Sequence, residues 1–188
     1  MNKKIKLETD RLLIRTLQLS DITDEYIDGL NDPLVNKFLV NARLTKQTKE
    51  TIGEFITQNL KSKQDILMGV FLKEGDTLIG TIRISGISEF HYLCNIGICF
   101  FNRSYWGKGY AVEALKRTVE FAFCKLNMHY IEAGVYTENA ASIKLFERAG
   151  FSAQSVYKDK FRYDSGFKEV KIFGKTNNDF DHDLLGKI

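Results

Sequence analysis

Residues 104–123 read SYWGKGYAVEALKRTVEFAF, two glycines around one lysine followed by an unbroken amphipathic run. Glycine costs roughly 1 kcal/mol against alanine inside a helix, so Gly107 and Gly109 belong to a turn that enters the helix rather than to its body. Behind the turn, Ala111, Leu115, Val119, Ala122 and Leu126 recur at helical spacing, while Glu113, Lys116, Arg117 and Glu120 lie largely off that stripe. Ahead of it, HYLCNIGICFF puts Tyr92, Cys94, Ile96, Ile98 and Phe100 on one face of a strand. The glycines therefore join a strand to a helix that packs on the sheet.

The remaining elements fall around that junction. RLLIRT reads as a first strand, and Ser20 with Asp21 opens a helical region expected to run on through NDPLVNKFL, with Pro33 in a first turn. Ile52, Phe55, Ile56 and Leu60 give one apolar face to a helix within residues 45–60. Then the period changes: Ile66, Met68, Val70 and Leu72 alternate, KEGD turns the chain, and Leu78, Gly80, Ile82 and Ile84 alternate again, a hairpin. After the long helix come a strand, YIEAGVY, a short helix from Asn139 to Ala149 stopped by Gly150, and strands around Phe151 and Val170. The order predicts a mixed α/β domain with hairpins before the glycine turn and a β-α-β crossover after it.

Several function classes are excluded. The net charge of +3 is spread along the chain, so there is no basic stripe for nucleic acid. No stretch approaches the ~18 apolar residues of a membrane span, and the basic start lacks a signal-peptide core, so a cytoplasmic protein is expected. Cys94, Cys99 and Cys124 lack C-x-x-C spacing and read as small buried hydrophobes; His91, His129 and His182 show no metal-ligand spacing, so no metal is expected.

A helix N-terminus carries unpaired N–H groups and about half a positive charge, and glycine lets phosphate oxygens reach them. The dinucleotide fingerprint needs a third glycine and a later acid, and the P-loop needs Ser or Thr after its lysine, where Gly109 follows Lys108 here. On spacing alone, phosphate binding and tight strand-to-helix packing both remain open.

The segment TENAASIKLFERAGF decides between them. Together, YWGKGYAVEAL and NAASIKLFERAGF resemble the acetyl-CoA-binding signature of the GNAT superfamily of N-acetyltransferases. LETDRLLIRTLQLSD and NDPLVNKFL further resemble the branch that holds ribosomal-protein N-terminal acetyltransferases and bacterial amino-sugar N-acetyltransferases. The resemblance covers about residues 7–173, which we take as one acetyltransferase domain, with residues 174–188 as a C-terminal tail. It implies an α+β fold: a mixed, largely antiparallel twisted sheet flanked by helices.

The resemblance also implies a set of roles. Trp106, Gly107, Lys108, Gly109, Tyr110 and Ala111 would offer the CoA pyrophosphate their main chain, with Trp106 standing where the superfamily usually has Gln or Arg. Backbone groups near Ile98 and Phe100 would pair the pantetheine amides. Asn139, Ser142 and Phe146 belong to the second motif; Phe146 replaces a frequent tyrosine and cannot donate a proton, so Ser142 is the candidate thiolate stabiliser or acid. Relatives often carry glutamate at Asn95, and asparagine is no base, which leaves Glu169 and His91 as candidates. Phe38, Phe161 and Tyr163 could line the acceptor pocket, with core packing as the plain alternative.

Acyl transfer needs a neutral amine, a site for the oxyanion and a proton for the thiolate. At pH 7 an α-amine near pKa 7.8 is neutral in roughly one molecule of seven, a lysine near 10.4 in about one of 2,500. A site without a strong base thus favours transfer from acetyl-CoA to a peptide α-amine or an amino sugar. A non-catalytic acetyl-CoA-binding module with a degenerate site is the alternative, and a homodimer is a further expectation.

Overall fold

The computed structural model describes residues 4–164 and 166–186. Eight strands form one sheet: β1 (Lys6–Glu8), β2 (Leu12–Thr16), β3 (Ile66–Leu72), β4 (Leu78–Ser88), β5 (Leu93–Cys99), β6 (Tyr130–Tyr136), β7 (Ser152–Tyr163) and β8 (Gly166–Thr176), in the order β1-β2-β3-β4-β5-β6-β8-β7. Every neighbouring pair is antiparallel except β5 and β6, which the long helix α5 (Tyr110–Leu126) joins as parallel neighbours. The expected α/β class, hairpins and crossover are all present.

The main core lies on one face of the sheet. Ile82, Ile84, Cys94, Ile96, Ile131, Ala133 and Phe173 meet Leu115, Val119 and Ala122 of α5 and Phe146 of α6 (Ala140–Arg148) there. On the opposite face a second cluster joins Leu67, Phe71, Leu78 and Phe101 to Tyr26 of α1 (Asp24–Asn31) and Ile52 and Ile56 of α4 (Lys49–Lys61). Between those helices come α2 (Pro33–Asn36) and α3 (Val40–Leu44). No helix among the described residues is long and apolar enough to cross a membrane.

Four expectations need correction. The first helical region is not continuous: Asp32, held extended at ψ 121° before Pro33, ends α1 and caps α2 by accepting from the Leu34 N–H at 2.8 Å. The alternation along β4 breaks at a bulge opposite Val70/Phe71, so Leu78 faces the second cluster while Ile79 joins Ile82 and Ile84 in the main core. Cys124 is exposed rather than buried. His91 does not open β5; it is exposed in the preceding turn, where its N–H donates to Ser88 Oγ.

Past β6, β8 continues to Thr176, so the expected boundary at residue 173 falls inside a strand. The tail then folds back: Phe180 is buried edge-on against Tyr92 and His129, and the Tyr92 hydroxyl donates to the Leu184 carbonyl at 3.1 Å. Lys187 and Ile188 lie outside the described residues.

Candidate active site

The site is built where the two parallel strands part. β5 and β6 are paired only over Leu93–Asn95 and Tyr130–Glu132. Beyond that rung β5 continues to Cys99 and β6 to Tyr136 without pairing to each other, so the facing backbone edge of Ile96–Cys99 has no strand partner. Such an edge is what an extended amide-bearing ligand pairs with. Each strand then runs into a helix, β5 through the glycine turn into α5 and β6 through Asn139 into α6, which brings two helix N-termini to one edge of the sheet.

The glycine turn has the backbone the sequence called for. Gly107 and Gly109 sit at φ +74° and +83°, in the left-handed region, and Gly109 is the N-cap of α5. Among the described residues no acceptor takes the N–H groups of Gly107, Lys108 or Gly109, and a Cβ on Gly107 would meet nothing within 4 Å. The exposed, unfilled amides fit a phosphate-bearing group. Tyr110 and Ala111 form the first turn of α5, and the Lys108 ammonium lies 5.2 Å from the Tyr105 ring.

Four side chains, Arg11, Glu113, Thr9 and Trp106, hold this turn, and the sequence alone singled out neither Arg11 nor Thr9. Arg11, between β1 and β2, donates to the Lys108 carbonyl at 3.1 Å and to Glu113 through Nε at 2.7 Å, and it lies 4.3 Å over the Tyr110 ring. Thr9 adds a 2.6 Å bond from its hydroxyl to Glu113. Burial pushes the Glu113 carboxyl up, but Thr9 and Arg11 together outweigh it and hold the group below its ordinary range. Trp106 supplies a polar contact: its indole N–H donates to the Phe100 carbonyl at 2.7 Å. Arg103, just ahead of the turn, pairs with Asp32 at 3.1 Å.

At the second helix, Asn139 accepts from the Ser142 N–H at 3.1 Å, which leaves the Ser142 hydroxyl without a protein partner among the described residues. Phe146 is committed to the core, stacked near Phe173 and edge-on to Phe151. Ile98 and Phe100 pack their side chains on the main core and keep only backbone for the gap. Glu169 alternates to the α6 side of β8, opposite Val170, and its carbonyl accepts from the Thr137 N–H. His91 is at the far end of β5, about 20 Å from Ile98 along an extended strand, and plays no part here.

On the face away from α5 and α6 the gap is open. Asn95, Gly97 and Gly134 are exposed there, and a Cβ on Gly97 would meet nothing within 4 Å. An aromatic group stands beside it: Tyr136, buried, with Phe38 at 5.6 Å, Phe161 at 6.0 Å and Tyr163 at 5.9 Å between ring centroids. Tyr163 donates to the Lys37 carbonyl, and Arg43 pairs with Asp164, so the β7–β8 turn is latched to the α2–α3 segment. The Tyr136 hydroxyl is buried with no hydrogen-bond partner among the described residues. A cavity of about 650 Å³ lies elsewhere, between the C-terminal half of α5, Arg148 and Phe180.

Comparison with known proteins agrees with this geometry. Residues 11–152 match the family model of the acetyltransferase (GNAT) domain. An uncharacterized N-acetyltransferase of Bacillus licheniformis, p20, is 28% identical over 176 residues, 93% of this chain and 97% of its own. The crystal structure of spermidine N-acetyltransferase from Vibrio cholerae with CoA and spermine superposes at TM-score 0.78 and 19% identity, covering 92% of this chain and 99% of that one. Ribosomal-protein-S5-alanine acetyltransferase from Vibrio fischeri superposes at 0.76 and 21% identity, covering 94% and 99%. The chain belongs to the GNAT acetyltransferases and is an acetyl-CoA-dependent acetyltransferase that acts on amines.

Proposed function

We propose that the protein acetylates a weakly basic primary amine, a peptide α-amine or an amino sugar, which approaches acetyl-CoA through the open face of the β5–β6 gap. The observation that carries this reading is the parting of β5 and β6 after one short ladder. It leaves a free backbone edge for the cofactor on one side and bare glycine on the other. In this reading the amides of residues 107–111 grip the pyrophosphate, the strand edge near Ile98 and Phe100 aligns the pantetheine, Asn139 orders the α6 N-terminus, and the uncommitted Ser142 hydroxyl serves the departing thiolate. When bound, acetyl-CoA supplies the activated acetyl group.

A polyamine fits the acceptor side less well. Three of the four rings already carry a cation: Lys37 lies 5.2 Å from Phe38, Lys160 5.6 Å from Phe161, and Arg43 4.1 Å and Lys168 5.1 Å from Tyr163. A second polycation would meet like charge there. Thiol release from acetyl-CoA, followed with a thiol reagent across N-terminal peptides, glucosamine, Nα-acetyl-lysine and spermidine, tests the reading. Turnover with the first two classes supports it. Turnover confined to lysine or spermidine reverses it, and coenzyme binding with no turnover would mark a binding module.

A further inference from the structure

The gap contains one carboxylate to which no role has been given. Ile131, Ala133 and Val135 enter the main core, so Tyr130, Glu132, Gly134 and Tyr136 project from β6 on the open face. Cys94 and Ile96 enter the same core, so Asn95 and Gly97 project from β5 on that open face too. Asn95 and Glu132 are partners on the last rung before the strands separate. Glu132 therefore stands one strand spacing, about 5 Å, from Asn95 at the closed end of the gap.

The surroundings leave this carboxylate uncommitted. Glu132 is half-buried and makes no hydrogen bond or ion pair among the described residues. On its own strand it has Tyr130, whose phenol is raised first by burial and then by the negative charge of Glu132. Across β5 it faces the neutral Asn95, and across β8 the bare backbone of Gly174. That glycine makes room for the Tyr130 ring, since a Cβ there would lie 1.8 Å from the Tyr130 hydroxyl, with the neutral Gln154 of β7 beyond. Lys168 of β8 lies toward the Tyr163 ring and is paired with Glu138, and no cation among the described residues pairs with Glu132. The other acids at this end are engaged or averted: Glu138 pairs with Lys168, Asp164 with Arg43, and Glu169 faces the α6 side.

We propose that Glu132 accepts the proton of the incoming amine, supplying from β6 the base that Asn95 cannot supply from β5. This rests on the gap being the acceptor site. One ammonium proton passes to the Glu132 carboxylate, which leaves a neutral amine and a carboxylic acid. The nitrogen lone pair bonds the acetyl carbon as the carbon–sulfur bond breaks, and the second nitrogen proton ends on the thiolate sulfur. Glu132 then returns its proton to water through the face opened by Gly97 and Gly134. An unpaired, part-buried carboxylate is costly to keep, which accords with a working role.

The test compares wild type with Glu132→Gln and Glu132→Asp, using acetyl-CoA with alanyl-glycyl-glycine or glucosamine. The Gln variant should lose about 100-fold in kcat/KM at pH 7 and recover much of it as pH rises past the amine's own pKa. The CoA-induced rise in melting temperature should not change, and the Asp variant should keep part of the rate. A Gln variant equal to wild type at pH 7, or depressed equally at every pH, overturns the assignment. Slow hydrolysis of acetyl-CoA, with water in place of the amine, probes the same group without an acceptor. If wild type transfers to neither amine, the acceptor reading fails on its own. Glu132 is then judged on hydrolysis: a Gln variant that slows it sustains the assignment, and one that hydrolyses as fast as wild type removes it.

Discussion

The Arg11 guanidinium donates to the carbonyl of Lys108, 97 residues away, at 3.1 Å. With the Glu113 pair and the Tyr110 ring, that bond ties the β1–β2 turn to the glycine turn. A residue of the β1–β2 turn thus sets the shape of the loop proposed to grip the coenzyme.

Arg11→Ala should raise the KM for acetyl-CoA about tenfold with kcat changed less than twofold, because the loop loses order and the chemistry does not. Arg11→Lys should fall between, since an ammonium reaches only one of the two partners. Steady-state kinetics at fixed amine separates the two constants, and a fall confined to kcat would contradict the assignment.

Glu113 gives the same clamp a pH dependence. Its folded pKa is depressed below the ordinary 4.5, so its contribution to stability is present above that value and is lost as pH falls through the depressed pKa. Denaturant melts of wild type and Glu113→Gln should therefore differ near pH 7 and converge below pH 4. A gap that stays constant down to pH 3 would assign the effect to packing instead.

Gly109→Val should impose about 1–3 kcal/mol of backbone strain at φ +83° and weaken CoA binding at least tenfold. Calorimetric titration with CoA measures the second effect directly. Unchanged affinity would falsify the glycine turn as the phosphate mouth.

Ser142→Ala should lower kcat at least tenfold and leave the CoA dissociation constant within about twofold, because the N-cap bond uses the Ser142 amide and survives the substitution. An unaltered kcat would take the hydroxyl out of the mechanism.

Phe180→Ala should cost about 3 kcal/mol by emptying the contact between Tyr92 and His129, roughly a 10 °C fall in melting temperature, with no change in KM for acetyl-CoA. Calorimetry and kinetics on one preparation check both halves.

The junction at the heart of the fold was legible because each of its signals is local: alternation in HYLCNIGICFF, two glycines, then the helical stripe that opens at Ala111. Asn139 was readable as the start of the short helix for the same reason. Arg11 was not, since its partners, Lys108 and Glu113, come from a turn that reaches it only once β1 and β2 join the sheet. Glu132 stayed hidden for a similar cause. Its place beside Asn95 depends on the register of two parallel strands separated by a whole helix, and YIEAGVY does not encode which rung is last. The β4 bulge defeated alternation because one extra residue reverses every side chain after it.

Trp106, whose indole holds the Phe100 carbonyl, is the one tryptophan in 188 residues. Any guest that competes for that oxygen must move or rehydrate the indole, so emission excited beyond the absorption of the eight tyrosines is a signal from this single position. The protein comes with its own gauge of occupancy, readable by stopped flow without a dye, before any acceptor has been found.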